Sequence, residues 1–281
     1  MEKLALFGGK PASEKRIPLS KPVFSDKTIK DVAEVLRSGY VRQGPKTREF
    51  EVGFQKKVGA RYAYAVNSGT AALHTAYLSI LKPGDEVIVP AFTFFATAST
   101  VIHARGKPVF TDIDPETFLI DPEDVKEKVT RRTRVIAPVH LFRNAADMDA
   151  LAEIAEDHNL LLVNDSAQAH GTEYKGRDIG SFDTINCYSF YPTKSMTTGE
   201  GGMVTTNDEG LDKIGRLIRS HGEDTRYRHV ILGLNYRMTE IAAVIGLNEL
   251  SNLDQYLNRR RHCGRILREG IEKTDGLPPR R

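Results

Sequence analysis

The segment "DMDALAEIAEDHNLLLVNDSA" (residues 147–167) joins a helical pattern directly to a short apolar run. Residues 147–159 repeat apolar side chains at helical spacing, and residues 160–163 are all apolar before the chain reaches Asn164 and Asp165. A short continuous apolar run is typical of a parallel strand that is buried on both faces. A helix that leads at once into such a strand predicts a parallel sheet covered by helices.

The same alternation continues on both sides of this segment. Helical patterns occupy 69–81, 97–106 and 121–129, and each follows a strand-like run. The further strand-like runs are "AYAVN" (63–67), "DEVIVPAF" (85–92), "KPVFTDID" (107–114), "TRVIAPVHLF" (133–142), "TINCYSFY" (184–191) and "GGMVTTND" (201–208). The alternation predicts an α/β fold with three α-β-α layers around a mostly parallel central sheet, in which the last run returns as a hairpin strand.

The pattern changes at Met238, after which residues 238–273 keep apolar side chains at helical spacing with no strand. A helix of that length is unusual inside one globular domain and suggests a connection to another part of the protein. We therefore predict a large domain with an N-terminal segment over residues 1–237. Residues 238–281 are expected to be a long helix that leads into a small C-terminal domain, most of which the chain lacks.

The composition is typical of a globular protein and does not indicate a nucleic-acid-binding, disulfide-rich or membrane-spanning one. Hydrophobic residues make up 40% and charged residues 27% of the 281 positions, as in ordinary soluble globular proteins. The net charge of +3 arises from basic residues that are spread along the chain, so a nucleic-acid partner is not indicated. Cys187 and Cys263 form neither a disulfide framework nor a metal-binding spacing. With no membrane-length apolar run and no signal-peptide core, we predict a cytoplasmic protein without a metal site.

Three strand ends carry polar residues, and the carboxyl ends of strands are where ligands bind in open α/β sheets. After the first strand, Ser68, Gly69 and Thr70 open a helix. Backbone N–H groups at a helix N-terminus, with a glycine and hydroxyls beside them, can hold a phosphate. An ordinary serine or threonine helix cap would explain the same residues.

Asp165 ends the most apolar strand, where a carboxylate is costly without a positive partner. A pyridinium nitrogen would be such a partner, and Gln168 could donate a hydrogen bond to a ring hydroxyl. Asp165 could instead cap a helix. Phe94, just beyond another strand, could stack on a flat ring or pack into the core.

The stretch "YSFYPTKSMTTGEGG" (188–202) presents Lys194 on a loop, because Pro192 cannot continue a central strand. Hydroxyl side chains such as Ser189 surround the lysine. Loss of water or a neighbouring cation would lower the pKa of this amine and make it a nucleophile and base. A solvated lysine in a polar surface loop is the alternative.

Together these segments resemble the DegT/DnrJ/EryC1/StrS family of sugar aminotransferases, which are pyridoxal-phosphate enzymes of the aspartate-aminotransferase fold type. The resemblance covers nearly the whole chain in order. Its motifs are "GGKPAS", "SGYVRQGPKTREFE", "NSGTAAL", "VIVPAFTFFATA", "DIDPETFLIDPE", "PVHLFRNAADM", "NDSAQAHGTEYKGRDIGSFD", "SFYPTKSMTTGEGGMV" and "GLNYRMTEIAAVIGLNEL". The fold implied is the large domain of a fold type I pyridoxal-phosphate transferase.

The resemblance also implies a role for each residue that binds the ring of the cofactor. Lys194 would bind pyridoxal phosphate covalently, and Asp165 would pair with the pyridine nitrogen. Gln168 would approach the ring hydroxyl, and Phe94 would stack on the ring.

For the phosphate, the resemblance implies that Gly69, Thr70 and Ser189 hold it. Asn235, in "GLNYRM", would reach the phosphate bound by a neighbouring subunit, because this family builds its active sites across a homodimer.

The activity implied is transfer of an amino group from glutamate to a nucleotide-linked keto-sugar in a ping-pong scheme. A sugar dehydratase of the same family is an alternative, although those relatives carry histidine in place of the lysine, which Lys194 argues against. An aminocyclitol or aminoshikimate enzyme, and an inactive truncated protein that binds cofactor or regulates a partner, remain further alternatives.

The chain departs from the family pattern at two points. Arg143 and Asn144 occupy a loop where many relatives have a small pair such as Gly-Gln. Arg143 could bind a substrate phosphate or carboxylate, crowd the site, or point to solvent. Family members also usually continue into the small C-terminal domain that helps to close the substrate site, so part of the substrate wall is expected to be missing.

Overall fold

A computed structural model describes residues 3–18 and 20–274 of the chain. Its strands, in chain order, are β1 (Tyr62–Val66), β2 (Glu86–Pro90), β3 (Lys107–Thr111), β4 (Thr133–Ile136), β5 (Leu161–Asp165), β6 (Glu173–Tyr174), β7 (Arg177–Asp178), β8 (Ile185–Ser189), β9 (Gly202–Thr206), β10 (Glu223–Thr225) and β11 (Arg228–His229). Its α-helices are α1 (Asp26–Ser38), α2 (Pro45–Val58), α3 (Gly69–Ile80), α4 (Ala96–His103), α5 (Pro122–Lys128), α6 (Met148–Asp157), α7 (Glu209–Arg219) and α8 (Glu240–Glu272).

Seven strands form the central sheet in the order β1-β9-β8-β5-β4-β2-β3. The pairs from β3 across to β8 are parallel, whereas β9 runs antiparallel to both β8 and β1. The predicted mostly parallel sheet and its hairpin return are therefore confirmed. Because only β9 is reversed, the carboxyl ends of β1, β2, β5 and β8 meet at one edge of the sheet.

Helices cover both faces of the sheet, which confirms the three-layer α/β architecture. On one side α3 packs its alanines against β1 and β9 in a cluster that includes Tyr64 and Val204. On the other side Phe50 and Phe54 of α2 pack with Tyr188 and residues of α8. Inward-facing residues of the strands alternate between these clusters, as the period of a pleated strand requires.

The long helix α8 begins at Glu240, and the Thr239 side chain caps it by accepting from the N–H of Ala242. Its first half is packed, with buried residues as far as Leu257, and its side chains are exposed from residue 258 onward. The proposed division at residue 237 stays a prediction, and residues 275–281 of the predicted segment 238–281 lie outside the described residues. No helix in the described part of the chain combines the length and apolarity needed to cross a membrane.

Candidate active site

The carboxyl ends of five strands, β1, β2, β4, β5 and β8, surround a cavity of about 500 Å³ at one edge of the sheet. Of the eight residues predicted to form the site, seven line this cavity: Gly69, Thr70, Phe94, Asp165, Gln168, Ser189 and Lys194. They come from β1, β2, β5, β8 and the turns that follow, so the parallel topology explains their convergence.

Asn235 does not line the cavity. Its side chain is exposed, and its backbone forms an isolated antiparallel bridge with Ser220. The predicted role concerns the phosphate of a neighbouring subunit, so it stays a prediction.

The helix start at the first strand end combines a cap with free N–H groups. The Ser68 hydroxyl accepts from the N–H of Ala71 at 3.0 Å, and the Ser68 carbonyl accepts from the N–H of Ala72 at 3.1 Å. The N–H groups of Gly69 and Thr70 precede these bonds and have no acceptor within the helix. A Cβ atom added to Gly69 would lie 2.6 Å from the Cβ of Ser189, so only glycine allows this approach.

Asp165 is buried, with 5% of its surface exposed. Its Oδ2 accepts from the hydroxyl of Thr97 at 2.7 Å, and its Oδ1 accepts from the N–H of Ala167 at 3.1 Å. Burial raises the pKa of Asp165, and these two hydrogen bonds and the charge of Lys194 oppose that rise only in part. Turns rather than a helix follow Asp165, so the helix-cap interpretation is wrong.

Lys194 is half-buried in the wall of the cavity rather than solvated, so the surface-lysine interpretation is wrong. Burial lowers the pKa of its amine, and the carboxylate of Asp165 acts in the opposite direction. Helix α8 holds the loop that carries it. The Glu249 carboxylate accepts from the N–H of Thr197 at 3.1 Å, and the Arg260 guanidinium donates to the carbonyl of Lys194 at 3.3 Å.

Phe94 lies at the mouth of the cavity with 73% of its side chain exposed, so it does not pack into the core. Gln168 lies in the wall, where its Oε1 accepts from the N–H of Phe142 at 2.9 Å. That bond uses the carbonyl oxygen and leaves the side-chain N–H₂ of Gln168 to donate elsewhere.

Sequence reasoning missed two groups near the cavity. Thr97 donates a hydrogen bond to Asp165 across 68 positions of sequence. The only sign of this role in the sequence is a hydroxyl side chain one helical turn after Phe94.

The second group is a pair of histidines. His140 and His170 are fully buried, and burial lowers the pKa of each imidazole to about 3, so both rings are neutral. Nothing in their sequence context distinguished them from ordinary core histidines.

The residues present fit pyridoxal phosphate. Free N–H groups and the Ser189 hydroxyl lie where a phosphate would need donors. The raised pKa of Asp165 marks a buried carboxylate that lacks sufficient positive charge nearby, which a pyridinium nitrogen would supply. A half-buried amine and an exposed aromatic ring complete the chemistry that such a cofactor requires.

Comparison with known proteins identifies the family. The model of the DegT/DnrJ/EryC1/StrS aminotransferase family matches residues 23–280. The chain belongs to this family, as the sequence motifs predict.

A GDP-perosamine synthase of Caulobacter vibrioides is 45% identical over 215 residues, which cover 75% of this chain and 58% of that protein. The structure of S. venezuelae DesV in complex with a ketimine intermediate is 38% identical, with a TM-score of 0.86 over 90% of this chain and 68% of that one. E. coli GDP-4-keto-6-deoxy-D-mannose-3-dehydratase with bound hydrated pyridoxal phosphate is 27% identical, with a TM-score of 0.87 over 92% of this chain and 73% of that one.

These similarities establish a fold type I architecture and indicate pyridoxal phosphate as the cofactor. Several relatives carry the names of sugar aminotransferases, which supports the aminotransferase class for this chain, although a dehydratase is among the similar structures. This chain spans 58% of the Caulobacter protein and about seven tenths of the other two.

Proposed function

We propose that this protein is a pyridoxal-phosphate aminotransferase that moves an amino group from glutamate to a nucleotide-linked keto-sugar. The observation that carries the proposal is the cavity in which the half-buried amine of Lys194 and the buried carboxylate of Asp165 lie together. The pKa values of both groups are shifted by burial, and such shifted groups in a cavity are typical of functional sites.

The cavity walls supply the contacts that would hold the cofactor. The N–H groups of Gly69 and Thr70, with the Ser189 hydroxyl, bind the phosphate. Phe94 covers one face of the ring, and Gln168 donates from its side-chain N–H₂ to the ring hydroxyl. Asn235 of a second copy completes the phosphate site in a homodimer.

When bound, pyridoxal phosphate supplies an electron sink for charge that develops at the substrate carbon. Asp165 would keep the ring nitrogen protonated, and the hydroxyl of Thr97 donates to this carboxylate at 2.7 Å. The amine of Lys194 would act as the base that takes a proton from the amino-bearing carbon of the donor, and then as the acid that gives the proton back. Burial favours this function because it lowers the pKa of the amine toward the range of an effective base.

The substrate class rests on the relatives. The names GDP-perosamine synthase and UDP-2-acetamido-2-deoxy-3-oxo-D-glucuronate aminotransferase both describe nucleotide-linked sugars. Glutamate is proposed as the donor from the family resemblance, and the cytoplasm as the location from the composition.

Covalent trapping tests the cofactor site. Protein incubated with pyridoxal phosphate and reduced with borohydride should carry the cofactor on the peptide that contains Lys194, as read by mass spectrometry. The Lys194→Ala variant should carry none, while a matched variant of exposed Lys213 should be labelled like the wild type. An adduct that persists in Lys194→Ala would remove this residue from the proposed role.

Turnover separates the proposed reaction from its alternatives. With glutamate and a panel of nucleotide-linked keto-sugars, an aminated sugar supports the aminotransferase. A deoxy product without a new amine would identify a dehydratase, although Lys194 argues against one. Amination of a cyclic polyol ketone instead of a nucleotide sugar would favour an aminocyclitol enzyme, and trapping without any turnover would favour an inactive cofactor-binding protein.

A further inference from the structure

Three arginines lie near one another beside the Lys194 loop, and one of them, Arg260, donates to the carbonyl of Lys194 at 3.3 Å. Arg143 lies on the loop after β4, and Arg260 and Arg261 lie on α8. Each of the two helix residues is close enough for its charge to lower the pKa of Arg143, after the larger effect of burial. Asn144, by contrast, is exposed, so the two residues of this departure from the family pattern are not equivalent.

Arg143 is held inward at a cost. Its side chain is half-buried, and its Nε is enclosed by protein without a hydrogen-bond partner among the described residues. Burying an N–H donor without an acceptor costs free energy of folding. A ligand that accepts a hydrogen bond from the donor would offset this cost. The Nε of Arg143 is therefore shielded from solvent without a partner in the described part of the chain, whereas its two terminal nitrogens are not enclosed in this way.

The backbone at this position is strained as well. Arg143 has φ of 68° and the preceding Phe142 has φ of 55°, both in the left-handed region that non-glycine residues avoid. Two hydrogen bonds secure the loop: Gln168 accepts from the N–H of Phe142 at 2.9 Å, and Thr172 donates to the carbonyl of Arg143 at 3.3 Å. Strain that the surroundings hold in place is typical of functional loops.

No ion pair neutralises these three arginines within the described residues. Among the ion pairs of the described residues, none includes Arg143, Arg260 or Arg261. The carboxylate of Glu249 lies nearby but already accepts from the N–H of Thr197 and the hydroxyl of Tyr256.

A cleft of about 630 Å³ runs beside Arg260 and is lined in part by Lys194, Lys21 and Arg259. Its size is in the range of small-ligand sites, and its lining is strongly basic. A ligand in this cleft would extend from the reactive amine of Lys194 to Arg260, whereas Arg143 and Arg261 lie outside its lining.

We infer that Arg143, together with Arg260 and Arg261, binds a terminal oxyanion of a substrate whose reacting carbon lies at Lys194. Guanidinium groups bind phosphate and carboxylate through paired, charge-assisted hydrogen bonds, so both oxyanions share the required chemistry. The oxyanion belongs either to the diphosphate of the nucleotide sugar or to the side chain of the dicarboxylate donor. Only this link to a substrate rests on the proposed function, because anion binding can be measured without turnover.

Calorimetry with three probes tests the inference: inorganic pyrophosphate, uridine diphosphate and glutamate. Arg143→Gly removes the guanidinium and also suits a φ of 68°, so this variant should fold with an unchanged or higher unfolding midpoint. Arg143→Lys keeps the charge but loses the paired hydrogen bonds. Arg265→Gln, at an exposed position further along α8, is the matched control.

We expect Arg143→Gly to weaken at least one probe by about tenfold to a hundredfold, the usual loss for one charge-assisted contact. Arg143→Lys should lose part of that, and Arg265→Gln should bind like the wild type. Weakened pyrophosphate and uridine diphosphate assign the site to the nucleotide sugar, whereas weakened glutamate alone assigns it to the donor.

Unchanged affinity for all three probes in Arg143→Gly would overturn the inference, and so would an equal loss in Arg265→Gln. Borohydride trapping at Lys194 is measured in the same samples. Failure to trap in the wild type counts against the proposed function, whereas normal trapping with unchanged anion binding counts only against the role of Arg143.

Discussion

At the scale of single residues, the informative feature is Asp165, a carboxylate buried at the end of an apolar strand. The sequence shows that Asp165 ends an apolar strand, and that position alone raised the question of a positive partner. It did not show Thr97, because the bond between them joins β5 to the start of α4 across 68 positions. The chemistry of a residue can be read locally, whereas its hydrogen-bond partners depend on which strands become neighbours.

Replacing Asp165 by asparagine should retain the shape of the site and remove its charge. With pyridoxal phosphate bound, the ring nitrogen would lose the carboxylate that keeps it protonated. We expect the rate of the half-reaction with glutamate to fall by about a hundredfold or more, the scale of other buried electrostatic groups in active sites. Stopped-flow absorbance of the bound cofactor measures this rate directly.

The matched variant is Thr97→Val, which removes the 2.7 Å bond to Asp165 but leaves the carboxylate. It should slow the half-reaction less than Asp165→Asn does. Equal rates for the wild type and Asp165→Asn would show that the carboxylate does not act on the ring.

At the scale of elements, the spacing of apolar residues predicted the strands of the central sheet and the long helix α8. All seven apolar runs became strands of the central sheet, and the helical pattern from Met238 became α8. Boundaries were less accurate: the run 133–142 yields a strand only over Thr133–Ile136, because Pro138 and the following turn end it. Helices α1, α2 and α7 were not predicted, and strand order could not be, since it depends on pairings between distant segments.

A buried ion cluster joins three of these elements. The Glu51 carboxylate on α2 accepts from Arg219 on α7 at 2.6 Å, from Arg216 at 2.8 Å, and from the N–H of Ala65 on β1 at 2.9 Å. Burial by itself would raise the pKa of Glu51, but the charges of the two arginines outweigh it and lower the pKa.

Glu51→Gln should destabilise the protein by about 3–5 kcal/mol, because it leaves the buried guanidinium of Arg219 without its counter-charge. Chemical denaturation followed by circular dichroism measures this free energy of unfolding. Arg48→Gln breaks a contact to the same carboxylate from an exposed side chain and should cost less than about 1 kcal/mol. Similar losses in the two variants would contradict the central role of the buried pair.

At the scale of the whole molecule, the carboxylates differ in how they link folding to pH. The charges of Arg219 and Arg216 lower the pKa of Glu51. Hydrogen bonds from Thr130, Lys107 and Arg132 lower the pKa of Glu86. Both carboxylates therefore stabilise the folded state while ionised and lose that contribution as pH falls. Asp178 behaves in the opposite way. Burial raises its pKa to about 6, and the hydrogen bond from the N–H of Gly180 opposes that rise only in part.

The sign for Asp178 follows from its two states. Its folded pKa of about 6 lies above the unfolded value of 3.8, so the folded protein binds the proton more tightly. Ionised Asp178 therefore destabilises the fold at pH 8, by up to about 3 kcal/mol, and this penalty disappears as pH falls from about 7 to about 4.

Asp178→Asn should remove that penalty while still accepting the 2.8 Å hydrogen bond from the N–H of Gly180. The variant should have a higher unfolding midpoint than the wild type at pH 8 and a nearly equal one at pH 4, as read by thermal unfolding at both values. Asp183→Asn, at an exposed position five residues along the chain, changes the net charge equally and controls for that effect. A gain that is the same at both pH values, or that Asp183→Asn reproduces, would show that burial of Asp178 does not destabilise the folded state at pH 8.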